Sequence, residues 1–489
     1  MHPALKMLRN TKILILGFGK EGLSSYQFLR AHLPGAQLAF ADQLDAQHAP
    51  LEIQRILDKD PGLELISGKG YESRLADFDV IFRSPGIPPT HPGLEAARAA
   101  GARVTSNTEL FFELCPGRII GVTGTKGKST TASLIFSVLQ AGGIDTRLVG
   151  NIGYPALSQI NLAASTASYV AELSSHQLAD LPHSPHVAVV HDIVPEHTDY
   201  YGTFSRYLAA KANIARYQGL SDYIVGNADS PSALKVVEQS PAARLPFGFD
   251  EAHDPICTLE RDWLVYKSEG RTERVIAAGD VPLRGRFNLL NVMAAIIVGK
   301  LLETPNEAIA HAVKRFQALE HRLELVGTIH AMSFYNDSLA TVPEATIAAL
   351  ESFTEPVVLI AGGDDRGQDF TQLAAMVRDR GLRGLVLLPP SGGQIRKAVE
   401  AAGLGSAPPC WSVNTMRDAV RAALEAARPG DVVLLSPGSA SYGLFRDYAD
   451  RGEQFRRAVQ ELVSRERGSC HAGGTRSSPR PPIPPGLGG

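Results

Sequence analysis

The chain has 489 residues, of which 44% are hydrophobic and 20% charged, and its formal net charge is −3. At roughly 150 residues per domain this length predicts about three domains. The near-neutral charge excludes a strong global field that would attract nucleic acid or an anionic membrane. No apolar run approaches the ~20 residues that span a bilayer, and the N-terminal stretch lacks the pattern of a signal peptide.

The chain contains four cysteines, Cys115, Cys257, Cys410 and Cys470. Because none of them stands in a CxxC spacing, they argue against a structural zinc site or a disulfide framework and fit a reducing compartment. We therefore expect a cytoplasmic protein that binds no nucleic acid and does not insert into a membrane.

The first block of the sequence predicts a βαβ unit. Lys12–Gly17 is a short apolar run ending in glycine, which is typical of a buried parallel strand. A helical pattern covers about 21–31, and Gln37–Asp42 predicts a second strand. A further strand, Phe78–Phe82, precedes the turn-rich loop Ser84–Pro89.

The turn after the first strand reads Gly17-Phe-Gly19-Lys-Glu-Gly22 and is followed by Asp42. Such a turn lets the backbone approach a phosphate at a helix N-terminus. The spacing alone suggests a dinucleotide-dependent dehydrogenase, but any Rossmann-like nucleotide or nucleotide-sugar site uses the same turn. The glycines alternatively serve only the packing of the helix against the strand.

The second block begins with a strand at Arg118 and continues into the loop Gly121–Thr130, which carries the string TGTKGKST. Backbone N–H groups of such a loop point at phosphates, and Lys128 would supply a cation to them. Ser129 or Thr130 would offer a hydroxyl to Mg²⁺. The loop is a P-loop variant, because the usual first glycine falls where this chain has Val122.

Two polar clusters follow predicted strands of this block. They are Glu172–Gln177 and Pro195–Asp199, and each stands where an α/β sheet places ligand groups. We therefore expect Glu172 and His197 to take part in a site, whereas Lys211 alone reads as a solvated helix lysine. Short alternating runs in 255–285 predict small antiparallel strands, and a helix follows from about Asn288.

A third block starts near Glu320 and again alternates strands with helices, so the chain is predicted to be α/β with mostly parallel sheets. The predicted domains are 1–114, 115–319 and 320–466. Residues 467–489 are rich in glycine and proline, which predicts a disordered tail or, less favoured, a proline-rich docking segment.

Together these strings resemble the Mur ligase family of ATP-dependent amide-forming enzymes. Gly150–Gly153, the string ELSSHQL, the segment ending at His197 and Asn336–Ser338 narrow the resemblance to the branch that adds glutamate to UDP-N-acetylmuramoyl-L-alanine in peptidoglycan precursor synthesis. The resemblance covers about Lys12 to Val463. It implies a UDP-binding Rossmann-like domain, a central P-loop ATPase domain and a C-terminal Rossmann-like domain that binds the amino acid, in a monomer.

The resemblance also implies roles for individual residues. Contacts to the UDP substrate fall on Gly19, Lys20, Glu21, Asp42, Ser84, Gly86 and Asn151. Contacts to ATP fall on Gly124, Thr125, Lys126, Gly127, Lys128, Ser129, Thr130, Asn288, Asn291, Arg322 and Asp337. Two Mg²⁺ ions would be held by Ser129, Glu172, His197 and a carbamylated Lys211. The implied catalytic set is Lys128, Glu172, His197, Lys211 and Arg322, and the incoming amino acid meets Ser441, Tyr442, Phe445 and Tyr448.

The sequence departs from the family pattern at two positions. The usual Asn-Asp-Ser-Lys reads Asn-Asp-Ser-Leu339, and leucine cannot replace the lysine that pairs with a carboxylate of D-glutamate. D-glutamate is the family default, and L-glutamate stands as the alternative, because ligases of this branch that add L-glutamate also lack the lysine. His176 stands where phenylalanine is usual.

The resemblance implies that ATP phosphorylates the substrate carboxylate and that the amine of glutamate then attacks the acyl phosphate. Three other functions compete with it. A folylpolyglutamate-synthase-like ligase shares the P-loop but is not expected to carry the N-terminal unit. A dehydrogenase would explain only 12–42, and a nucleotide-sensing scaffold protein would show no turnover.

Overall fold

The computed structural model describes residues 2–403 and 408–472, with the backbone alone for 198, 199 and 465–472. The chain divides into two compact units. One comprises residues up to 282 together with 287–316, and the other comprises 283–286 and the described residues from 317 onward. Within the described residues, no helix is both long and apolar enough to cross a membrane.

The first sheet, in the first unit, consists of five parallel strands, β1 (Lys12–Leu16), β2 (Gln37–Asp42), β3 (Glu64–Ser67), β4 (Val80–Arg83) and β5 (Arg103–Thr105). The accompanying helices are α1 (Pro3–Leu8), α2 (Lys20–His32), α3 (Leu51–Lys59), α4 (Pro92–Ala99) and α5 (Asn107–Leu114). The strand order is β3-β2-β1-β4-β5. The order therefore reverses between β1 and β4, where an open parallel sheet forms a ligand crevice at the carboxyl ends of its strands.

The second sheet, also in the first unit, has nine strands, β6 (Arg118–Thr123), β7 (Thr146–Gly150), β8 (Ser168–Glu172), β9 (Val187–Val190), β10 (Tyr223–Asn227), β11 (Ala243–Phe247), β12 (Cys257–Glu260), β13 (Trp263–Ser268) and β14 (Arg271–Ala277). The helices are α6 (Lys128–Ala141), α7 (Ala156–Gln159), α8 (Ser175–Leu178), α9 (Thr198–Tyr201), α10 (Phe204–Arg216), α11 (Pro231–Val237), α12 (Arg286–Leu301) and α13 (Asn306–Arg315). The order is β14-β13-β12-β11-β10-β9-β6-β8-β7. Because β6 lies between β8 and β9 and is parallel to both, the segments that follow these three strands emerge at one edge.

The third sheet, in the second unit, has six strands, β15 (Glu324–Ile329), β16 (Met332–Asn336), β17 (Val357–Gly362), β18 (Gly384–Leu388), β19 (Cys410–Ser412) and β20 (Val432–Leu435). The helices are α14 (Pro343–Glu351), α15 (Thr371–Arg380), α16 (Gly392–Ala401), α17 (Met416–Ala426) and α18 (Tyr448–Ala472). The order is β15-β16-β20-β17-β18-β19, with only β15 antiparallel to its neighbour. Apolar side chains on the two faces of this sheet form two separate core clusters.

The structure confirms the mostly parallel α/β prediction and the antiparallel strands within 255–285. It adds strands for which the pattern analysis proposed none, including β3, β7, β11 and β19, which are short or mix charged with apolar residues. Helix α18 continues to Ala472, into the predicted tail, and residues 473–489 lie outside the described part of the chain. The three domain boundaries stay a prediction.

In the first glycine motif, packing requires glycine at position 22 but not at position 19. A Cβ atom at Gly22 would lie 2.2 Å from the carbonyl oxygen of Gly17, whereas a Cβ at Gly19 would meet nothing within 4 Å. Gly22 therefore permits the close approach of α2 to the turn after β1, and Gly19 leaves open space for a ligand.

We predict that Gly22→Ala lowers the free energy of unfolding by about 1–3 kcal/mol, the usual cost of overpacking. Gly19→Ala is the matched control and should leave stability unchanged. Thermal and urea unfolding followed by circular dichroism would test this difference. Equal midpoints for the two variants would contradict the packing role of Gly22.

Candidate active site

The carboxyl ends of β1 and β4 open into a cavity of about 500 Å³ in the first unit. Six of the seven residues predicted to contact the UDP substrate line this cavity, namely Gly19, Lys20, Glu21, Asp42, Ser84 and Gly86. Tyr71 and His91 also line it, and their side chains are 3.3 Å apart. The seventh predicted residue, Asn151, lies elsewhere, beside Glu172.

Two buried polar atoms of this cavity have no hydrogen-bond partner among the described residues. They are Oε2 of Glu21 and the hydroxyl oxygen of Ser84. The other carboxylate oxygen of Glu21 accepts a hydrogen bond of 2.6 Å from the side-chain amide of Gln177. Burial raises the pKa of Glu21 to about 7, and Gln177 and Arg83 oppose that rise. Unsatisfied buried polar atoms are costly, so this wall is suited to a polar ligand.

The spacing of Asp42 after the glycine turn suggests a contact to a nucleotide, but in the structure its carboxylate binds backbone N–H groups. One of its carboxylate oxygens accepts from the backbone N–H of Phe18 and the other from that of Leu44, both at 2.9 Å. Asp42 thus holds the glycine turn to the end of β2 while it also faces the cavity.

The P-loop connects β6 to α6 and is shaped by two glycines with positive φ. Gly124 has φ +152° and Gly127 has φ +85°, and a Cβ at Gly127 would lie 2.6 Å from the Asn291 side-chain oxygen. The Lys128 ammonium donates to the carbonyl oxygen of Thr125 at 2.9 Å. Lys126 is exposed, and Thr130 is buried in the first turn of α6.

Ser129 and Glu172 meet at the edge where β6 and β8 end. The Ser129 hydroxyl donates to Oε2 of Glu172 at 3.0 Å, and the amide of Asn151 donates to Oε1 at 3.2 Å. The Glu172 residue is only 1% exposed. A hydroxyl and a carboxylate next to a P-loop are oxygen donors of the kind that Mg²⁺ prefers.

The two predicted nucleotide-binding asparagines lie beneath the P-loop. Asn291 accepts from the Thr131 hydroxyl at 3.1 Å and donates to the Asn288 side chain at 2.8 Å, and both asparagines are buried. The same Thr131 hydroxyl lies 2.7 Å from Nε2 of His191. Burial, with a smaller effect from Lys128, lowers the pKa of His191 to about 3 and keeps its ring neutral. These side chains support the loop from below.

Lys211 lies on α10 and is 1% exposed, so it is not the solvated lysine that its position in a helix suggests. Its amine donates to the carbonyl oxygen of Gly124 at 2.7 Å and lies 4.8 Å from the centre of the Tyr207 ring. Burial, and then the nearby Lys128, lower the pKa of the amine well below its ordinary value. The structure therefore places a readily neutralised amine against the P-loop.

His197 follows β9 and has φ +54°, which is uncommon for a residue with a side chain. Its ring centre lies 4.7 Å from that of His176 and 6.1 Å from that of Tyr207. Tyr207 thus contacts both His197 and Lys211. The ring of His176, the unusual residue of the ELSSHQL string, also packs edge-on against Tyr200 at 4.4 Å.

In the second unit, the residues on both sides of Arg322 have positive φ, +64° for His321 and +43° for Leu323. Asp337 is buried behind them and accepts from the Leu323 N–H at 3.2 Å and from the Ser436 hydroxyl at 2.9 Å. Burial raises the pKa of Asp337 to about 7, while its hydrogen bonds and then Arg322 lower it.

The four residues predicted to contact the amino acid divide into two groups. Ser441 and Phe445 are buried, and Phe445 belongs to a core cluster, whereas Tyr442 and Tyr448 are largely exposed. Leu339 is half-buried, and its backbone N–H donates to the carbonyl oxygen of His321.

Arg451 is fully buried next to these loops. It donates to the hydroxyl and carbonyl oxygens of Ser338 and to the carbonyl oxygens of Ser439 and Ala440, at 2.8–3.1 Å. It therefore holds the segment before Leu339 to the segment that carries Ser441.

Three family models match consecutive parts of the chain. The Mur ligase MurD-like N-terminal domain matches residues 11–106, the Mur ligase middle domain matches 122–299, and the Mur ligase glutamate ligase domain matches 321–438.

Curated proteins named UDP-N-acetylmuramoylalanine--D-glutamate ligase match over nearly their whole length. The protein from Symbiobacterium thermophilum is 36% identical, covering 92% of this chain and 97% of its own. The proteins from Koribacter versatilis and from Streptococcus pneumoniae serotype 4 are each 36% identical and cover 94% of this chain and 99% of their own. The chain is a Mur ligase.

Solved Mur ligase structures share the fold of this Mur ligase. UDP-N-acetylmuramate-alanine ligase MurC from Thermotoga maritima has a TM-score of 0.56 at 16% identity and covers 94% of this chain and 100% of its own. MurF ligase from Thermotoga maritima in complex with ADP has a TM-score of 0.57 at 16% identity, covering 94% and 97%. The three-domain α/β prediction is thereby confirmed.

Sequence reasoning overlooked three buried polar side chains of this Mur ligase, those of Arg83, His191 and Arg451. A signal existed for Arg451, because it lies on the face of α18 that also carries Phe455 and Ala458, and a charge on an apolar helix face indicates a buried partner. Arg83 carries a weaker signal as a charge that ends an apolar strand directly before Ser84.

We predict that Asp337 makes the stability of the native state fall as pH rises. The folded protein holds the Asp337 proton up to about pH 7, whereas an unfolded chain releases it near its ordinary value of 3.8. Stability is therefore lost between these two pKa values and stays lower above pH 7. Asp337→Asn removes this penalty, so its thermal midpoint relative to the unmodified protein should improve from about pH 5 to about pH 8. A pH-independent difference would contradict a raised pKa.

Proposed function

We propose that this Mur ligase joins D-glutamate to the L-alanine carboxylate of UDP-N-acetylmuramoyl-L-alanine, with ATP converted to ADP and phosphate. The observation that carries the proposal is the Ser129–Glu172 contact of 3.0 Å beside the P-loop, in a chain that matches D-glutamate ligases over nearly its whole length. We further propose that it acts as a monomer in the cytoplasm, with the domain boundaries predicted above.

The cavity of the first sheet suits the UDP part of the substrate. The unpartnered oxygen of Glu21 accepts hydrogen bonds and the Ser84 hydroxyl can both donate and accept, which matches the imide N–H, carbonyl and hydroxyl groups of a uridine nucleotide. Gly19 leaves room for the ligand, because a Cβ atom there would meet nothing within 4 Å. Lys20 lies at the start of α2 in the same wall, where a cation and a helix N-terminus favour phosphate.

The P-loop of the second sheet would bind the phosphates of ATP through its backbone N–H groups and Lys128. The Lys128 ammonium, which donates to the carbonyl oxygen of Thr125, would turn toward the β- and γ-phosphates when they are present. Asn291 and His191 hold the Thr131 hydroxyl, directly after the loop, and the Asn291 side-chain oxygen leaves no room for a Cβ atom at Gly127. We further propose that Arg322 contacts the phosphates of ATP and that Asp337 contacts its ribose.

The donor chemistry of Ser129 and Glu172 fits Mg²⁺, since both offer oxygen and lie within 3.0 Å of each other. No cluster of three or more His, Cys, Asp or Glu side chains suited to a metal occurs among the described residues, so phosphate oxygens would complete the coordination. Magnesium would neutralise charge on the transferring phosphoryl group. His197 and a carbamylated Lys211 would hold the second ion.

We propose that Lys211 is carbamylated, and its burial supports this. A neutral amine adds to CO₂ through its nitrogen lone pair, and loss of one proton leaves a carbamate anion. The lowered pKa of Lys211 supplies the neutral amine, and its position against the P-loop places the new carboxylate near the phosphates. The change converts a cation into an oxygen ligand.

In the proposed reaction an oxygen of the L-alanine carboxylate attacks the γ-phosphorus, and ADP leaves. The glutamate amine then attacks the acyl carbon, and phosphate departs from the tetrahedral intermediate as the amine loses a proton. The chain need supply no nucleophile, because ATP activates the carboxylate. Lys128 and Arg322 stabilise the charge that develops on the phosphoryl oxygens.

Leu339 bears on the choice between the two isomers of glutamate. Leucine offers no charge to a substrate carboxylate, but the curated relatives are named D-glutamate ligases, which favours D-glutamate over the L-glutamate alternative. Arg451 fixes the backbone next to Leu339 and next to Ser441. The buried Arg451 guanidinium would therefore position the two loops that contact the amino acid.

We predict that phosphate release from ATP requires UDP-N-acetylmuramoyl-L-alanine and D-glutamate together, and that L-glutamate supports less turnover. Leu339→Lys should lower the KM for D-glutamate by roughly tenfold, because it adds one charge-assisted contact. Lys128→Ala should abolish turnover and serves as the negative control. Phosphate release with each isomer and without amino acid would measure all three effects.

Turnover with L-glutamate alone would overturn the assignment of the isomer. The absence of turnover with either isomer would overturn the ligase and favour a nucleotide-binding scaffold protein. Activity with a folate in place of the UDP substrate would favour the folylpolyglutamate-synthase-like alternative.

We predict that Lys211→Ala lowers kcat by about a hundredfold, the scale of losing a metal-site group. Lys235→Ala, at an exposed lysine on α11, is the matched control and should keep full activity. In ¹³C-labelled bicarbonate, NMR should show a carbamate signal that Lys211→Ala abolishes and Lys235→Ala keeps. A signal that persists in Lys211→Ala would contradict the assignment.

A further inference from the structure

Arg83, the last residue of β4, is buried and forms an ion pair with Asp180 that joins the first sheet of the unit to the segment after a strand of the second sheet. Its side chain is 1% exposed, and its guanidinium binds both carboxylate oxygens of Asp180, with Nε 3.1 Å from Oδ2. Asp180 lies two residues beyond α8, in the segment that follows the Glu172 strand. A bidentate pair of this kind has a defined geometry as well as a charge.

The same guanidinium holds the wall of the UDP cavity. Nη1 donates to the carbonyl oxygens of Ser84, Pro85 and Ile87, at 3.3, 3.4 and 2.7 Å. All three residues line the cavity, and the Ser84 hydroxyl is one of its unpartnered atoms. One side chain therefore sets the backbone of the loop that faces the ligand.

A second connection runs between the same two sheets. The Gln177 side chain donates to Glu21 at 2.6 Å and accepts from the Ser174 N–H at 2.9 Å. Ser174 is two residues after Glu172, so Glu21, which also lines the cavity, is linked to the segment that leaves the Glu172 strand. Nη2 of Arg83 reaches the carbonyl oxygen of His176 in that segment, at 3.4 Å.

We propose that Arg83, fixed by Asp180, is a positioning residue for the UDP substrate, because it holds the 84–88 loop in its binding shape against the segment 174–180. The inference rests on the proposed function, since it names what the cavity binds. The proposal predicts that substrate binding depends on the planar guanidinium of Arg83, with its several N–H donors, as well as on its positive charge.

Arg30, on α2 of the same unit, offers a comparison. Its Nε donates to Asp60 at 2.8 Å and its Nη1 donates to the carbonyl oxygens of Pro34 and Ala36, at 3.0 and 2.9 Å. Neither of those carbonyls belongs to the lining of the cavity. Arg30 and Arg83 thus each bind one aspartate and donate to backbone carbonyl oxygens, but the carbonyls bound by Arg83 belong to the cavity wall and those bound by Arg30 do not.

The test compares Arg83→Lys with Arg30→Lys. Lysine retains the charge but presents a single ammonium in place of the planar fork, so it cannot serve Asp180 and three carbonyl groups together. Calorimetry would give the Kd for UDP without ATP, steady-state kinetics would give KM for each substrate, and thermal unfolding would report stability. Asp180→Asn is a second variant that keeps Arg83 and removes the charge that fixes it.

For Arg83→Lys we expect the Kd for UDP and the KM for the UDP substrate to rise roughly tenfold, with the KM for ATP within about twofold. Asp180→Asn should shift the same two constants in the same direction, and Arg30→Lys should leave both unchanged. Unaltered UDP binding in Arg83→Lys, or UDP binding that follows thermal stability across all three variants, would overturn the positioning role. Failure of the proposed function is distinguishable, because the unmodified protein would then neither bind UDP nor turn over.

Discussion

The parallel pairing of β6 with both β8 and β9 is the constraint on which the ATP side of this ligase depends. Carboxyl ends of adjacent parallel strands meet at one edge of a sheet, so the segments after these strands converge. The P-loop, Glu172 and the His191–His197 segment come together for this reason, although they are separated along the chain. Lys211 then reaches the same edge from α10, with its amine against the Gly124 carbonyl.

Each of the two units contains buried ionisable groups, several of which have no opposite charge in direct contact. Lys211 is bonded to a carbonyl and a hydroxyl oxygen, Arg451 to neutral oxygens, and Glu21 to an amide. Each arrangement costs stability, because burial disfavours a charge that is not compensated. Such costs are typical of functional sites, where ligands complete the electrostatics. The Arg83–Asp180 pair differs, because its two opposite charges compensate each other within the protein. The pair also links the wall of the cavity to the segment that follows the Glu172 strand.

The alternation of strands and helices in three blocks was readable in the sequence because parallel strands are buried on both faces and appear as continuous apolar runs. The strands β1 and β2 fall where the apolar runs predicted them. Strands β3 and β7 were not predicted, because Glu64, Arg147 and Gly150 leave each of them without a continuous apolar run. These two segments form strands because they pair with β2 and β8, an interaction that the local sequence does not signal.

The sequence by itself determined the α/β class, the shape of the glycine-rich loops and six residues that line the cavity of the first sheet, because short motifs encode backbone shape locally. Tertiary structure alone decided which of those side chains face a ligand and which support the site. Asn291 supports the P-loop, and Gly22 serves packing while Gly19 does not. Arg83 and Asp180 meet across 97 residues of chain, a separation at which no local pattern can signal a contact. Burial and long-range hydrogen bonding arise only when the sheets are assembled.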